Sequence, residues 1–283
     1  MEKTIAVIGT GIMGTGIAMN FLKNGYKVIV WNRNKDKVKD LTKKGASSAI
    51  SPKEATEKAD VIFEVTANDE SSKSMWLGKE GILEGATSDK VLITDATLSV
   101  PWIDELIQIC KKKKLTFFDM PMTGGRIGAE TGKLVLLVGG EEKKLKSLLD
   151  LLSAISEKVV YFGKEGSGMR YKLLLNMLQA IHVVALGEVL NLGKELGLDI
   201  DKVGNALAER PGGVSTGIAW RDYHKEPNPI NFSVEWITKD ITYAKQSAKK
   251  TKTPLLDETL SKYKKAIAKK MNNKDWTTVN KLK

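Results

Sequence analysis

Thr4-Ile5-Ala6-Val7-Ile8-Gly9-Thr10-Gly11-Ile12-Met13-Gly14 is the stretch that decides how this chain folds. An apolar, β-branched run stops at a glycine, two more glycines follow closely, and Ile17, Ala18 and Phe21 then recur at helical intervals. The pattern predicts strand, tight turn and helix in immediate succession. Gly9 permits the sharp reversal, Gly11 lets a ligand approach the backbone, and Gly14 lets helix and strand pack closely. The helix start then offers N–H groups and the positive end of its dipole to phosphate oxygens. In this setting Gly9, Gly11, Ile12, Met13 and Gly14 form a dinucleotide-binding fingerprint, which an isolated glycine triplet would not.

Outward from this turn the alternation continues. Strands are expected at 4–8 and 27–31, with a helix at 14–24 between them. Further apolar runs at 60–65, 90–94, 116–119, 134–138 and 159–162 lie between helical stretches. Repeated strand–helix–strand units give a doubly wound, mostly parallel sheet. After Gly163 the texture changes. One long helix is predicted over 167–196, followed by helical segments at 199–209, 231–249 and 254–271 and a frayed tail after Asn272. The expected fold class is α/β: an N-terminal Rossmann-type doubly wound sheet over residues 1–163, plus an all-helical C-terminal domain over 164–283, joined by a long helix.

The end of the second strand bears on cofactor choice. An NAD site usually places Asp or Glu there, about 20 residues after the glycines, against the ribose hydroxyls. Here Trp31 is followed by Asn32, Arg33 and Asn34. No carboxylate stands at the position, and a guanidinium can pair with a 2′-phosphate through two parallel hydrogen bonds. NADP(H) is the expected cofactor, with NAD(H) as the alternative.

The bulk numbers exclude other classes. The chain has 283 residues, 42% hydrophobic and 28% charged, an ordinary globular composition with room for two domains. Its formal charge of +11 comes almost entirely from lysines spread along the chain. Nucleic-acid binders cluster basic residues with Arg or aromatic contacts, so neither nucleic acid nor a membrane is an expected partner. Apolar runs fall short of the roughly 18–20 residues of a membrane helix, and the opening residues show no leader pattern. The lone Cys110 cannot close an internal disulfide, which fits a reducing, cytoplasmic setting.

Three more segments carry chemistry. They are Asp119-Met120-Pro121-Met122-Thr123-Gly124-Gly125, then Gly166-Ser167-Gly168-Met169-Arg170-Tyr171-Lys172 with Asn176, and Phe232 with Lys239-Asp240. Lys172 and Asn176 stand four residues apart, on one helical face, and can reach one ligand. A partly desolvated lysine beside a cationic nicotinamide gives up its proton more readily, and could pass it to a carbonyl oxygen as hydride arrives. Thr123, Gly124 and Gly125 expose backbone N–H groups of the kind that hold an anion. Together they describe a small hydroxy acid held at both ends.

In order and over nearly the whole chain, these segments resemble the β-hydroxyacid dehydrogenase family, which includes 3-hydroxyisobutyrate dehydrogenase and the glyoxylate/succinic semialdehyde reductases. The resemblance implies Lys172 as the catalytic acid/base, with Thr123, Gly124, Gly125 and Asn176 around the substrate. It implies Thr66, Ala67, Thr97 and Lys239 near the cofactor. It also implies a small aldehyde or keto acid substrate, such as succinic semialdehyde or glyoxylate, and a homodimer or homotetramer. Several positions depart from the family pattern: Thr123 replaces a serine, Thr66-Ala67 a Leu-Pro pair, Ala96 the first of two hydroxyl residues, and Leu175 a second asparagine. They leave substrate identity open.

Other templates fit less well. His182 is expected to pack in the helical domain and His224 to lie in a loop. Two scattered histidines and one cysteine cannot assemble a usual zinc site, so no metal is expected. Alternatives on the same scaffold are a 3-hydroxyisobutyrate dehydrogenase, an imine reductase and a non-catalytic NADPH-binding protein. Lys172 with Asn176 argues against the last two.

Overall fold

The computed structural model describes residues 3–209, 214–248 and 252–282. The last residue of the helical segment expected at 231–249 falls outside them. Packing divides the chain into two units, residues 1–172 and 173–283.

The first unit is built on a nine-stranded sheet. Its strands are β1 (Thr4–Ile8), β2 (Lys27–Trp31), β3 (Ser47–Ser48), β4 (Val61–Glu64), β5 (Val91–Thr94), β6 (Thr116–Asp119), β7 (Met122–Thr123), β8 (Leu134–Gly139) and β9 (Ser156–Gly163). Between them run α1 (Ile12–Lys23), α2 (Lys39–Lys43), α3 (Pro52–Glu57), α4 (Asp69–Leu77), α5 (Ile82–Gly85), α6 (Val100–Lys112), α7 (Gly125–Thr131), α8 (Glu142–Lys146) and α9 (Leu149–Ser153). The order β3-β2-β1-β4-β5-β6 is parallel throughout; β8 then runs antiparallel to β6 and β7 and parallel to β9.

Parallel strands are covered on both faces, which is why they read as unbroken apolar runs. Successive side chains alternate between two cores. Ile5, Val7 and Phe63 pack with Ile17 and Phe21 of α1 on one face. Ala6, Ile8 and Ile62 pack with Trp76 of α4 and Trp102 and Leu106 of α6 on the other.

The long helix α10 (Ser167–Glu195) starts within the first unit. Gly166, at φ +88, turns the chain into it, and a Cβ at Gly168 would lie 2.1 Å from Leu137 O of β8. Only glycine lets the helix land so close to the strand. The expected boundary at 163/164 therefore sits nine residues before the division the packing makes, because this first stretch of helix docks on the sheet. The segment Ser167–Asn191 is also long and apolar enough to cross a membrane by length and composition alone, and 44% of its most apolar window is buried. The expectation of no such run overlooked it because Arg170, Lys172, Asn176 and His182 interrupt the apolar pattern.

The second unit holds the rest of α10 with α11 (Ile200–Glu209), α12 (Val214–His224), α13 (Val234–Ser247) and α14 (Pro254–Ala268). Three expectations are corrected here. His224 ends helix α12, edge-on to Trp220 at 4.2 Å, and lies in no loop. Trp220 itself packs where a Cβ on Gly204 would stand, 2.0 Å from its ring. His182 is exposed on α10, since its neighbours Val183 and Val184 take the inward positions. The tail does not fray: Trp276–Lys281 forms a 3-10 helix capped by Asp275, whose Oδ1 accepts from Thr277 N at 3.1 Å. Asn280 of that segment donates to Val183 O at 2.8 Å.

Candidate functional site

Because β2, β1, β4 and β5 are adjacent and parallel, their C-terminal ends share one sheet edge. The loops leaving them extend the ladder by one step. Gly9 N donates to Trp31 O at 2.9 Å, Val65 N to Ile8 O at 2.8 Å, and Asp95 N to Glu64 O at 2.9 Å. Open parallel sheets bind ligands at this edge.

The turn from β1 to α1 is sterically tight. Gly9 has φ +103, and a Cβ on it would lie 2.3 Å from Val65 O; one on Gly14 would lie 1.9 Å from Gly9 O. Gly11 differs, for a Cβ there would meet nothing within 4 Å. It stands at the N-cap of α1, where no side chain caps the helix. Ile12 and Met13 supply the first helical N–H groups. An uncapped helix start facing open space fits a pyrophosphate. Thr10, unnoticed in the sequence, is buried and donates to Lys37 O at 3.2 Å, tying this turn to the loop after β2.

That second loop is shaped by its own amides. Asn32 Oδ1 accepts from Asn34 N, and Asn34 Oδ1 from Asp36 N, both at 2.9 Å. Arg33, between them, is exposed. The first carboxylate after β2 is Asp36, ion-paired to Lys39 at 2.7 Å. That lysine's hydrogen bond and charge hold the Asp36 carboxyl below the usual carboxylate range.

At the ends of β4 and β5 the structure places two carboxyl groups that pattern reading missed. Glu64 and Asp95 are both buried. Glu64 accepts from the hydroxyls of Thr66 and Thr94. Burial raises its pKa, and those hydroxyls partly offset the rise. Asp95 is pushed well above the usual range by burial and then by the charge of Glu64. The only signal in the sequence was an acid closing each of two buried apolar runs. Of the loop residues expected at the cofactor, Thr66 and Thr97 are half-buried and Ala67 is exposed.

The expected substrate loop follows β7. Gly124 and Gly125 both take positive φ, +116 and +58, which explains a glycine pair after Thr123. The helix α7 they open lies hard against α1: a Cβ on Gly16 would stand 2.6 Å from Ala129 O. Buried Asn20 locks the contact, its Nδ2 donating to Gly16 O at 2.9 Å and Ala129 O at 2.7 Å.

Asp119 closes β6 and anchors the start of α10. Its Oδ1 accepts from Gly166 N at 2.5 Å and its Oδ2 from Met169 N at 2.7 Å. Burial pushes its pKa up to about 7 against those two bonds. Lys172, 9% exposed, sits on the same helix about one turn after Gly168. A raised folded pKa means the folded state binds the extra proton, so this stability is present below about pH 4 and is lost as pH rises through about 7. Asp119→Asn is expected to be less stable than wild type, with the gap narrowing from pH 5 to pH 8. Urea melts across that range check it, and a constant gap contradicts it.

In the second unit, Asn176 Nδ2 donates to Asp240 Oδ2 at 2.6 Å, and Lys239 Nζ lies 2.8 Å from Asp240 Oδ1. Buried Asp240 therefore joins the two residues expected at substrate and cofactor. With its amide nitrogen donating to Asp240, Asn176 keeps its carbonyl oxygen as an acceptor.

Residues 4–163 match the family model described as the NAD binding domain of 6-phosphogluconate dehydrogenase. Residues 166–282 match the one described as NAD-binding of NADP-dependent 3-hydroxyisobutyrate dehydrogenase. The chain is 32% identical to the probable mitochondrial 3-hydroxyisobutyrate dehydrogenase of Dictyostelium discoideum, over 98% of this chain and 90% of that one. With the mitochondrial 3-hydroxyisobutyrate dehydrogenase of Mus musculus it shares 31%, over 98% and 86%. A solved structure of the Mycobacterium tuberculosis 3-hydroxyisobutyrate dehydrogenase with L-serine matches at TM-score 0.87, with 25% identity and 99% of both chains covered.

Proposed function

Because the chain belongs to the β-hydroxyacid dehydrogenase family, NAD(P)-dependent oxidoreductases acting on CH–OH groups, we propose that it interconverts a small aldehyde or keto acid with its hydroxy acid, using NADP(H) and Lys172 as acid/base. The observation that carries this reading is a buried lysine on a helix anchored, through Asp119, to the sheet edge where the cofactor loops emerge.

When bound, the nicotinamide supplies or accepts hydride. The uncapped start of α1 would hold the pyrophosphate, with Gly9, Gly11, Ile12, Met13 and Gly14 around it. Asn32 and Asn34 shape the loop that presents Arg33, whose guanidinium would pair with the 2′-phosphate. By the family resemblance, Thr66, Ala67, Thr97 and Lys239 would be the further residues serving the cofactor. The N–H groups of the Thr123, Gly124 and Gly125 loop would hold the substrate carboxylate. Lys172 would donate its Nζ proton to the carbonyl oxygen during reduction and recover it from the hydroxyl in reverse. Asn176, its amide donated to Asp240, would keep the substrate oxygen in line.

For substrate, succinic semialdehyde and glyoxylate follow from the sequence reading. A second reading, 3-hydroxyisobutyrate, is supported equally by the relatives that carry that name. Assays with NADPH and succinic semialdehyde, glyoxylate or methylmalonate semialdehyde, and with NADP⁺ and 3-hydroxyisobutyrate, decide between them. Turnover of none overturns the proposed activity. In the same assays Arg33→Ala is expected to weaken NADPH by about 10- to 100-fold, the worth of one charge-assisted contact, with NADH nearly unaffected. Equal losses would show that Arg33 does not read the phosphate.

A further inference from the structure

We propose that Glu64 is a positioning residue for the dinucleotide: its carboxyl staples together the two loops that leave β4 and β5. The proposal rests on the cofactor reading above and adds to it a residue with no counterpart in the glycine fingerprint.

Trp76 and Ser72 of α4 turn polar groups toward this position, but the rest of its surroundings gives no reason for an acid. Glu64 is fully buried on the face of the sheet lined by Ile8, Ile62, Leu92 and Trp76. An apolar side chain would suit that core better, since an acid must be stripped of water to enter it. What the carboxyl does there is join two hydroxyls from different strand ends. Thr66 lies two residues beyond it, in the loop that runs to the N-cap Asn68 of α4. Thr94 is the last residue of β5, directly before Asp95, Ala96 and Thr97.

The staple also reaches the glycine turn. Val65 follows Glu64, and its carbonyl is the atom a Cβ on Gly9 would strike. Moving Val65 therefore moves the surface on which the turn rests. One side chain thus fixes the spacing of three loops expected around the cofactor: the Gly9 turn, residues 65–68 and residues 95–97. Burial raises the pKa of Glu64 and, more strongly, that of Asp95, whose carboxylate oxygens have no hydrogen-bond partner. Perturbed buried acids cluster at functional sites, and these two close adjacent strands, β4 and β5, whose following loops are expected at the cofactor.

Two substitutions of similar reach separate this role from a merely structural one. Glu64→Gln keeps the staple, because its Oε1 accepts from one threonine while its Nε2 donates to the other. Glu64→Met removes both bonds. In the full-length protein, Glu64→Met is expected to raise the NADPH Kd roughly tenfold or more, with kcat at saturating NADPH within about threefold of wild type. Glu64→Gln is expected to restore the Kd to near the wild-type value. A role confined to stability would lower the melting temperature of Glu64→Met and leave Kd unchanged.

Wild-type Kd in folded Glu64→Met, or a Glu64→Gln that loses as much as Glu64→Met, overturns the proposal. If Glu64→Met does not fold, Thr66→Val and Thr94→Val each delete one bond. Both should then weaken NADPH, and wild-type Kd in both overturns the proposal equally. Failure of the wild type itself to bind NADPH or NADH overturns the underlying cofactor reading, and the staple with it.

Discussion

Replacing Lys172 by alanine is expected to lower kcat by about 10²- to 10⁴-fold, the usual worth of a positioned acid/base. NADPH affinity should stay near wild type, because the amine serves the transferring proton and not the dinucleotide. Loss of an interaction made in the transition state lowers kcat and kcat/KM together. Lys172 is nearly buried, on a helix whose start is fixed by Asp119, so few alternative groups could take its place. Steady-state rates with the best substrate of the panel, and NADPH titration by fluorescence, provide the check. Near wild-type turnover in the alanine variant would remove Lys172 from the chemistry.

The second large effect is expected at Gly14. A single methyl there would lie 1.9 Å from the carbonyl oxygen of Gly9, which no side-chain adjustment relieves. Either α1 shifts away from β1 or the turn deforms, and both displace the N–H groups meant for phosphate. Gly14→Ala is expected to weaken NADPH by about 100-fold or more, the worth of losing charge-assisted contacts of about 3 kcal/mol, and to lower the melting temperature as well. Gly11→Ala offers the contrast. Its Cβ would meet nothing within 4 Å, so the fold should keep its stability while the ligand loses room. Unchanged NADPH binding in folded Gly14→Ala would show that the dinucleotide does not rest on this turn.

Much of the first unit could be read directly because its strands are buried on both faces. The runs at 4–8, 27–31 and 116–119 are strands β1, β2 and β6 residue for residue, since burial on both sides leaves no polar alternation to blur their ends. The glycine turn was legible for a different reason: backbone contacts of 1.9–2.3 Å admit no other residue at Gly9 or Gly14.

What stayed hidden depends on tertiary contacts. Helix α12 buries the consecutive pair Ala219 and Trp220, which carries no helical period. The 3-10 segment at Trp276–Lys281 is secured by Asp275 and by Asn280 reaching Val183, some 97 positions away in sequence. In the candidate site, Lys172 and the glycines could be named from spacing. Glu64, Asp95, Asn20 and Thr10 could not, because their significance lies in burial and in neighbours on other elements.

The amide of Asn20 has a consequence for how this scaffold could acquire new specificities. Both of its hydrogens are committed, one to its own helix and one to Ala129 of the neighbouring helix. Lengthening the segment between Gly124 and Gly132 would strand a desolvated donor inside the protein. Variation in this segment, which follows the proposed substrate loop, is therefore cheap by exchange of side chains and expensive by insertion. A library built to broaden the range of accepted acids should randomise residue identities here and keep the segment's length constant.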